Sequence, residues 1–440
     1  MKTKLLTFLF FWTCFFSLSA QTLGEKVVEI NPELFKTKLP KSKLAQETLY
    51  MLRLNNKYTL NKWYNELKQF NLDNSDYLDF KGKLEKDIRP TSHHIFALAL
   101  TLKLNIYDSS VTNVSSDKAF QILERLISSV SYRHKANNPK QNEAWGKHWQ
   151  SALWAAQIAQ GAWLVWDRLS ATDRDMVAKM VEFEADRFIT IPAPYYMDKD
   201  GNVISKGNTR AEENAWNSGV ITMAILMLPN HINVDKWRER NIEYQASAYC
   251  TPEDLVSDKM VDGVALNQIL KGSNAYSNGT VVNHDILHPD YMTAIMLNFT
   301  NLIYHKLAEV EPLESSTYNC DLVYRALTVE EYGGKTMYQP TEKGKASSQI
   351  YFPEGNDWGG ERQANYWLMD IFADIYKWGK KGEVKPKDWA LERSKEMMRM
   401  ISRDTTGQYY QSQKEDKFFS REEWIGQHLA YGYMALWLLD

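Results

Sequence analysis

Apolar residues recur at spacings of three and four along most of this chain, from about residue 43 to residue 439. This period is typical of helices that bury one face. Helices are predicted at residues 90–106, 116–130, 145–169, 173–189, 212–229, 290–309, 318–328, 361–378, 387–402 and 421–439. Loops are predicted at residues 191–209, 251–289 and 331–360. The 21 glycines and 13 prolines are few for 440 residues, which disfavours a turn-rich protein of many strands.

The helical segments show no clean repeat, no low-complexity tract and no linker rich in proline or serine. About a dozen helices joined by short antiparallel turns favour an all-α fold, an α/α barrel or toroid. An irregular helical array is the alternative. Residues 21–440 are predicted to form this fold as a single domain.

The first twenty residues, 1–20, predict an export signal. Lys2 and Lys4 precede an apolar run at residues 5–18, and small residues at 17–20 offer a cleavage site before Gln21. This run is short for a membrane span, and no second run is long enough. We therefore expect a protein exported to a periplasm or secreted, without a membrane span.

The charge balance and the cysteine content bear on which partners the protein binds and on whether it forms a disulfide. The 52 Lys and Arg residues against 55 Asp and Glu residues lack the basic surplus of a nucleic-acid-binding protein. Cys250 and Cys320 remain after signal cleavage. A disulfide between them is permitted in an oxidising compartment, but a domain of this size does not need one. We expect a monomer.

Four polar segments combine aromatic residues with Asn, Asp, His and Arg, and each lies at or beside a predicted helix end. They are residues 145–150, 209–219, 262–291 and 352–362. In a toroid, helix ends and loops line the central cleft. We therefore expect the loops near residues 210, 276–291 and 354–362 to converge on one cleft.

His284 and His288 stand four residues apart, the spacing of H-E-x-x-H, with Asp285 in the glutamate position. On a helix, two such histidines share a face and could bind zinc. Pro289 opposes this, because a residue before proline is biased away from the helical region. A zinc hydrolase is therefore a minor alternative, beside two histidines that only cap a loop before a helix near Asp290. We predict no metal and no other cofactor.

His and Tyr supported by Asn and Arg are the groups that β-elimination of a uronic acid requires. Asn, Arg or a protonated His can neutralise the uronate carboxylate and stabilise the enolate-like transition state. A neutral His or a deprotonated Tyr then removes the C5 proton, and a Tyr or His protonates the oxygen that leaves C4. The product carries a double bond between C4 and C5.

Two stretches resemble the α/α-toroid polysaccharide lyases and related uronate-eliminating enzymes of carbohydrate-degrading bacteria: Asn214-Ala215-Trp216-Asn217, and residues 262–276. The resemblance implies that Tyr276 matches the family tyrosine. The sequence departs at Asn267-Gln268, where the family has its histidine, so His284 or His288 would have to supply the base. The resemblance spans roughly residues 145–370 and implies a lyase, or a dehydratase that expels water from C4 of an oligosaccharide.

The predicted site has a catalytic group and a binding group. His284 is the leading base and His288 the reserve base, with Tyr276 or Tyr291 as the acid. Asn217 and Arg362 are expected to contact the carboxylate. The predicted substrate contacts are Asn214, Asn217, Trp216, Arg210, Asn283, Trp358, Arg362 and His148. Arg210 and Arg362 could instead pair with neighbouring glutamates.

The predicted function is a carbon–oxygen lyase that acts by β-elimination on a uronic-acid-containing poly- or oligosaccharide, an anionic glycan such as ulvan. A glycoside hydrolase with paired carboxylates on the same toroid is the alternative. Its candidate carboxylates are Glu213, Asp262, Asp285, Asp357 and Glu361. A non-catalytic glycan-binding protein would explain the aromatic residues but not the His and Tyr cluster.

Overall fold

The computed structural model describes residues 21–71, 75–379, 383–417 and 421–440, so the predicted signal peptide, residues 1–20, lies outside the described residues. Helices dominate this part of the chain, as predicted. The α-helices are α1 Lys43–Tyr58, α2 Tyr64–Phe70, α3 Glu85–Lys103, α4 Ser109–Thr112, α5 Ser116–Tyr132, α6 Ser151–Leu164, α7 Ala171–Thr190, α8 Ala211–Met227, α9 Val234–Ala248, α10 Leu266–Ile269, α11 Pro289–Thr293, α12 Met296–Leu307, α13 Cys320–Thr328, α14 Gln363–Ile375, α15 Pro386–Ile401 and α16 Glu422–Leu438.

The strands of the described residues are two residues long and pair only as antiparallel hairpins or bridges between loops. They are β1 Met197–Asp198 with β4 Gly272–Ser273, β2 Met260–Val261 with β3 Val264–Ala265, β5 Val282–Asn283 with β6 Ile286–Leu287, and β7 Glu331–Tyr332 with β8 Lys335–Thr336. They shape loops and form no β layer.

Six of the described helices form a closed inner ring. Helix α3 packs on α6, α6 on α8, α8 on α12, α12 on α14, α14 on α16, and α16 returns to α3. Outside this ring, α5 and α7 cover α3, α6 and α8, α9 covers α8, α13 and α15 cover α14, and α1 covers α16. Two concentric layers of helices are the architecture of an α/α toroid, which confirms the predicted fold.

The inner helices are buried on all sides. Every residue of α6 is buried, and in α8 only Glu212 and Glu213 are not. A helix covered on both faces carries apolar residues all round instead of in one stripe. The buried apolar side chains of the described residues form one cluster, which agrees with a single domain.

The helices differ from the prediction at several places. The segment predicted at 145–169 is helical only from Ser151, because Gly146 and Lys147 adopt positive φ angles of 120° and 61°. Helix α3 begins before Pro90, where the Asp87 carboxylate accepts the Leu84 N–H. The segment predicted at 290–309 is split into α11 and α12, and the predicted helix bounds do not include α1, α2 or α9.

Two further expectations meet the structure here. Cys250 and Cys320 are buried and unpaired, so the permitted disulfide is not formed. Among the described helices, none has the length and apolar character needed to cross a bilayer.

Glycines in the inner ring allow helices to approach closely. A Cβ at Gly432 in α16 would overlap the indole ring of Trp367 in α14. Gly219 in α8 is different, since its nearest neighbour would be the Ala156 Cβ at 3.6 Å.

We expect Gly432→Ala to lower the free energy of unfolding by about 1–3 kcal/mol, because the added methyl group overpacks the contact with Trp367. Gly219→Ala is the matched control and should be neutral or stabilising by up to about 1 kcal/mol, because alanine is the better helix former. Urea unfolding followed by circular dichroism measures both. Equal effects of the two substitutions would contradict this packing.

Candidate functional site

A cavity of about 260 Å³ lies where the inner helices begin. Residues at or near the N-terminal ends of all six inner helices line it: Glu85 and Arg89 of α3, Gln150 and Leu153 of α6, Glu212 and Trp216 of α8, Met296 and Leu297 of α12, Arg362 and Asn365 of α14, and Arg421, Trp424 and Gln427 of α16. Helix N-termini carry partial positive charge. The charged side chains of the lining comprise three arginines and three carboxyl groups: Arg89, Arg362, Arg421, Glu85, Glu212 and Asp290.

His284 reaches the cavity from the tip of the β5–β6 hairpin. His284 and Asp285 are the two central turn residues, with φ angles of 51° and 61°. Tight hairpin turns need positive φ at both positions and usually use Asn and Gly there. A histidine in this conformation is strained, and such strain is typical of functional sites. The Asp285 N–H donates to the Gly207 carbonyl and the Leu287 N–H to the Glu354 carboxylate, which holds the hairpin in place.

Asp357 holds both histidines. Its Oδ2 lies 2.9 Å from His284 Nδ1 and its Oδ1 lies 3.1 Å from His288 Nε2. Burial alone would raise the pKa of Asp357, but the hydrogen bonds with the two histidines lower it. An ionised carboxylate only accepts hydrogen bonds, so the His284 nitrogen that faces it, Nδ1, carries a proton, and in the neutral imidazole Nε2 is then the acceptor.

The hydroxyl of Tyr291 in α11 hydrogen-bonds to His284 Nε2. The oxygen and the nitrogen lie 3.3 Å apart, and the Asn283 side chain also hydrogen-bonds the phenol. Burial, followed by the charge of Glu212, raises the pKa of Tyr291 above its ordinary value. The phenol therefore keeps its proton and donates it toward His284, so Asp357, His284 and Tyr291 form a hydrogen-bonded chain that ends in the cavity.

Four tryptophans line the cavity: Trp149, Trp216, Trp358 and Trp424. The Trp358 ring lies 5.3 Å from the His284 ring, and the Trp149 ring meets Trp216 at 4.8 Å. Trp149 is 54% exposed at the cavity rim. Aromatic faces of this kind stack on the apolar faces of sugar rings or pack against other apolar groups.

The three cavity arginines are held by acids. Arg362 lies 3.8 Å from Asp290 and 3.4 Å from Asp416, and its guanidinium stacks on Trp358 at 4.7 Å. Arg89 pairs with Glu85 and with Glu423, and Arg421 lies 3.5 Å from Glu85. These positive groups have fixed positions before any ligand binds.

The structure brings together most of the residues predicted around the hairpin. His284, Tyr291, Trp216, Trp358 and Arg362 line the same cavity. Asn283 contacts Tyr291 from behind. His288 is the N-cap of α11 and donates Nε2–H to Asp357, while its Nδ1 is buried without a partner, so it supports His284 and does not face the ligand. Burial lowers the pKa of His288.

Five other predicted residues lie outside the cavity lining. The Tyr276 hydroxyl lies 3.4 Å from that of Tyr196, and Tyr276 does not line the cavity. Asn214 is buried and donates to the Pro194 carbonyl and to Ser247. Asn217 is also buried and lies outside the lining.

Arg210 and His148 also serve other contacts. Arg210 forms an ion pair with Glu213 at 3.2 Å, which is the alternative role that the sequence offered for this arginine. The His148 ring lies 6.4 Å from the Trp154 ring, and burial lowers its pKa. Neither residue lines the cavity.

Sequence reasoning missed several cavity residues. Trp149 follows the helical spacing of its neighbours Trp145 and Trp154, which suggested core packing, yet it lies before α6 begins and is exposed. Arg421, Trp424 and Gln427 are spaced by three at the start of α16, a pattern that could have indicated one helix face. Glu212 was overlooked beside Glu213.

Three described side chains could hold a metal ion. His284, His288 and Asp357 each offer one ligand atom, and these atoms lie within 4.8 Å of one another. The histidines stand on a turn and on a helix cap instead of one helix face, so the helical zinc motif is wrong. Each ligand nitrogen already bonds an Asp357 oxygen, and the Lys417 ammonium lies 3.6 Å from the same carboxylate.

We expect EDTA to leave the thermal unfolding midpoint and any saccharide-degrading activity unchanged, because this positive neighbour and the internal hydrogen bonds disfavour a divalent cation. Differential scanning calorimetry and metal analysis of the purified protein measure this. Stoichiometric zinc, or activity lost on chelation and restored by zinc, would contradict it.

Comparison with known proteins assigns no family to this chain. No family model matches the chain, and no curated protein sequence matches it. Among solved structures, the chain is similar to an inactive variant of an α-1,6-mannanase from Salegentibacter sp. HEL1_6 in complex with α-1,6-mannotriose. The identity is 10%, the TM-score is 0.40, and the match covers 90% of this chain and 99% of that chain. A similarity of this degree does not extend the activity or the substrate of that enzyme to this chain.

Proposed function

We propose that this chain is an exported carbon–oxygen lyase that cleaves a uronic-acid-containing saccharide by β-elimination. The observation that carries the proposal is the 3.3 Å hydrogen bond between Tyr291 and His284 Nε2, with Asp357 fixing the imidazole from its other side. The proposed base, His284, and the proposed acid, Tyr291, thus lie side by side in the lining of one cavity.

The two groups divide the reaction between them. His284 Nε2 takes the C5 proton, the C5–H electrons form the C4–C5 double bond, and the C4–O bond breaks. Tyr291 protonates the departing oxygen. Asp357 stabilises the imidazolium that forms, and the proton then passes from His284 to Tyr291 along their hydrogen bond, which restores both groups.

An anionic substrate is favoured by the position of the cavity. Six inner helices begin around it, and the partial positive charge of helix N-termini attracts a carboxylate. Arg362 stays charged, because nearby Asp290 and Asp416 raise its pKa although burial alone would lower it, and it shares that charge with these two carboxylates.

A short saccharide or a chain end fits the cavity better than the middle of a long polymer. Its volume of about 260 Å³ is below the range of about 300–1,000 Å³ that is usual for ligand sites. Exposed Trp149 at the rim offers a further stacking surface. A dehydratase that expels water from C4 of an oligosaccharide would use the same groups.

A glycoside hydrolase is the second candidate, favoured by one observation. Glu212 lines the cavity, and burial raises its pKa from 4.5 to about 8, which suits a general acid. A hydrolase also needs a second carboxylate. The other cavity carboxylates are engaged, since Asp290 accepts the Tyr366 hydroxyl at 2.5 Å and Glu85 pairs with Arg89 and Arg421.

We expect purified protein to generate the ultraviolet absorbance of an unsaturated uronate from at least one member of a panel of uronic-acid polymers and their oligomers. The panel should include ulvan, glycosaminoglycans and alginate. New reducing ends without this absorbance would favour the hydrolase and contradict elimination.

We expect Tyr291→Phe to lower the rate of elimination about 10²–10⁴-fold, because it removes only the proton donor and keeps the ring. Tyr276→Phe is the matched control and should retain nearly full activity, because Tyr276 lies outside the cavity. Initial rates of absorbance increase measure both. Equal activity of the two variants would remove Tyr291 from the mechanism.

We expect His284→Ala to lose activity by about 10²–10⁴-fold while remaining folded, because it removes the base from an exposed turn. Circular dichroism and the same absorbance assay measure the fold and the rate. A variant with the rate of the unsubstituted protein would exclude His284 as the base.

A further inference from the structure

Glu212 is a cavity carboxyl without a hydrogen-bond partner in the described part of the chain. It stands in the first turn of α8, one helical turn before Trp216, and both line the cavity. The side chain is half-buried and forms no hydrogen bond or ion pair with a described residue. Its neighbour Glu213, by contrast, is bound by Arg210 and by Trp149.

An ionised Glu212 would oppose the function proposed above. The proposed substrate is an anion, and two carboxylates in one small space repel each other strongly. Either Glu212 loses its charge or the substrate carboxylate cannot enter beside it. A neutral carboxylic acid changes this repulsion into attraction, because its O–H donates a hydrogen bond to a carboxylate.

We propose that Glu212 binds the uronate carboxylate of the substrate as a neutral carboxylic acid, with its O–H as the donor. This inference rests on the proposed function and names the group that neutralises the substrate. It replaces Asn217, which the sequence assigned to this role and the structure holds outside the cavity lining.

Charged and titratable groups surround Glu212 from several elements. They are Glu213 of α8, Glu85 and Arg89 of α3, Tyr249 after α9, Tyr291 of α11, Arg362 before α14, and His284, Asp290 and Arg421 elsewhere in the cavity wall. Burial is the largest cause that raises the pKa of Glu212, and Glu85 and Glu213 add to it. Arg362 and Arg89 lower it, and the result is a pKa of about 8.

The same hydrogen bond would assist the chemistry. As the C5 proton leaves, negative charge develops on the oxygens of the substrate carboxylate. A donor that already points at these oxygens binds more strongly in the transition state than in the ground state, which is the condition for catalysis. Glu212 is then a catalytic residue that transfers no proton to the leaving group.

The test combines binding and turnover in the full-length protein. With a Glu212 pKa of about 8, the neutral fraction falls about tenfold between pH 7 and pH 9. Calorimetry should therefore show about tenfold weaker binding of D-glucuronate at pH 9 than at pH 7. Glucose, which carries no charge, should bind equally at both values.

Glu212→Gln keeps a neutral hydrogen-bond donor and removes the titration. We expect this variant to bind glucuronate equally at pH 7 and pH 9, and to retain elimination activity within about tenfold at pH 7 without the alkaline decline. Glu213→Gln is the matched control, since Glu213 lies outside the cavity lining, and it should keep the alkaline decline.

The outcomes separate this inference from the proposed function. Glucuronate binding that weakens equally with pH in the unsubstituted protein and in Glu212→Gln overturns the inference, even if the unsaturated product forms. Loss of activity by about 10²–10⁴-fold in Glu212→Gln, with its fold intact, also overturns it and makes Glu212 a proton donor. Absence of the unsaturated product, with binding as expected, overturns the lyase and leaves the carboxylate site.

Discussion

Closure of the inner helical ring is the constraint on which the rest of the structure depends. When α16 packs back onto α3, six inner helices are enclosed, and their N-terminal ends meet around one cavity. Each of these helices contributes side chains from its first turn or its cap. The ring thus sets the position of the site, because all six inner helices begin around the same small volume.

The histidine hairpin depends on that ring through three long loops. Gly207 in the first loop accepts the Asp285 N–H, and Glu354 in the third accepts the Leu287 N–H. Asp357, also from the third loop, bonds both histidines of the second. The left-handed turn at His284 is costly alone, and these contacts hold it. As a result, His284 Nε2 faces the Tyr291 hydroxyl in a fixed orientation.

The helices and the functional loops could be predicted because their signals are local. Spacing of apolar residues located most of the helices, and the polar aromatic loops near residues 284–291 and 358–362 do reach one cavity.

The sequence did not indicate which side chains of α8 line the cavity, and this has a physical reason. This helix is buried on all sides, so its sequence carries no stripe to show which face meets the cavity. Asn214 and Asn217 seemed suited to a substrate carboxylate, but Glu212 and Trp216 occupy the cavity face.

The sequence by itself determined the helical class, the small number of strands and the clustering of His284, His288 and Tyr291 within one short segment, since these depend on neighbours along the chain. Only the tertiary structure decided which of them act together. Asp357 lies about seventy residues from both histidines, and its contacts fix the tautomer of His284. The pKa of Glu212 is set in the same way, because burial and the charge of Glu85 in α3, which no local pattern records, raise it.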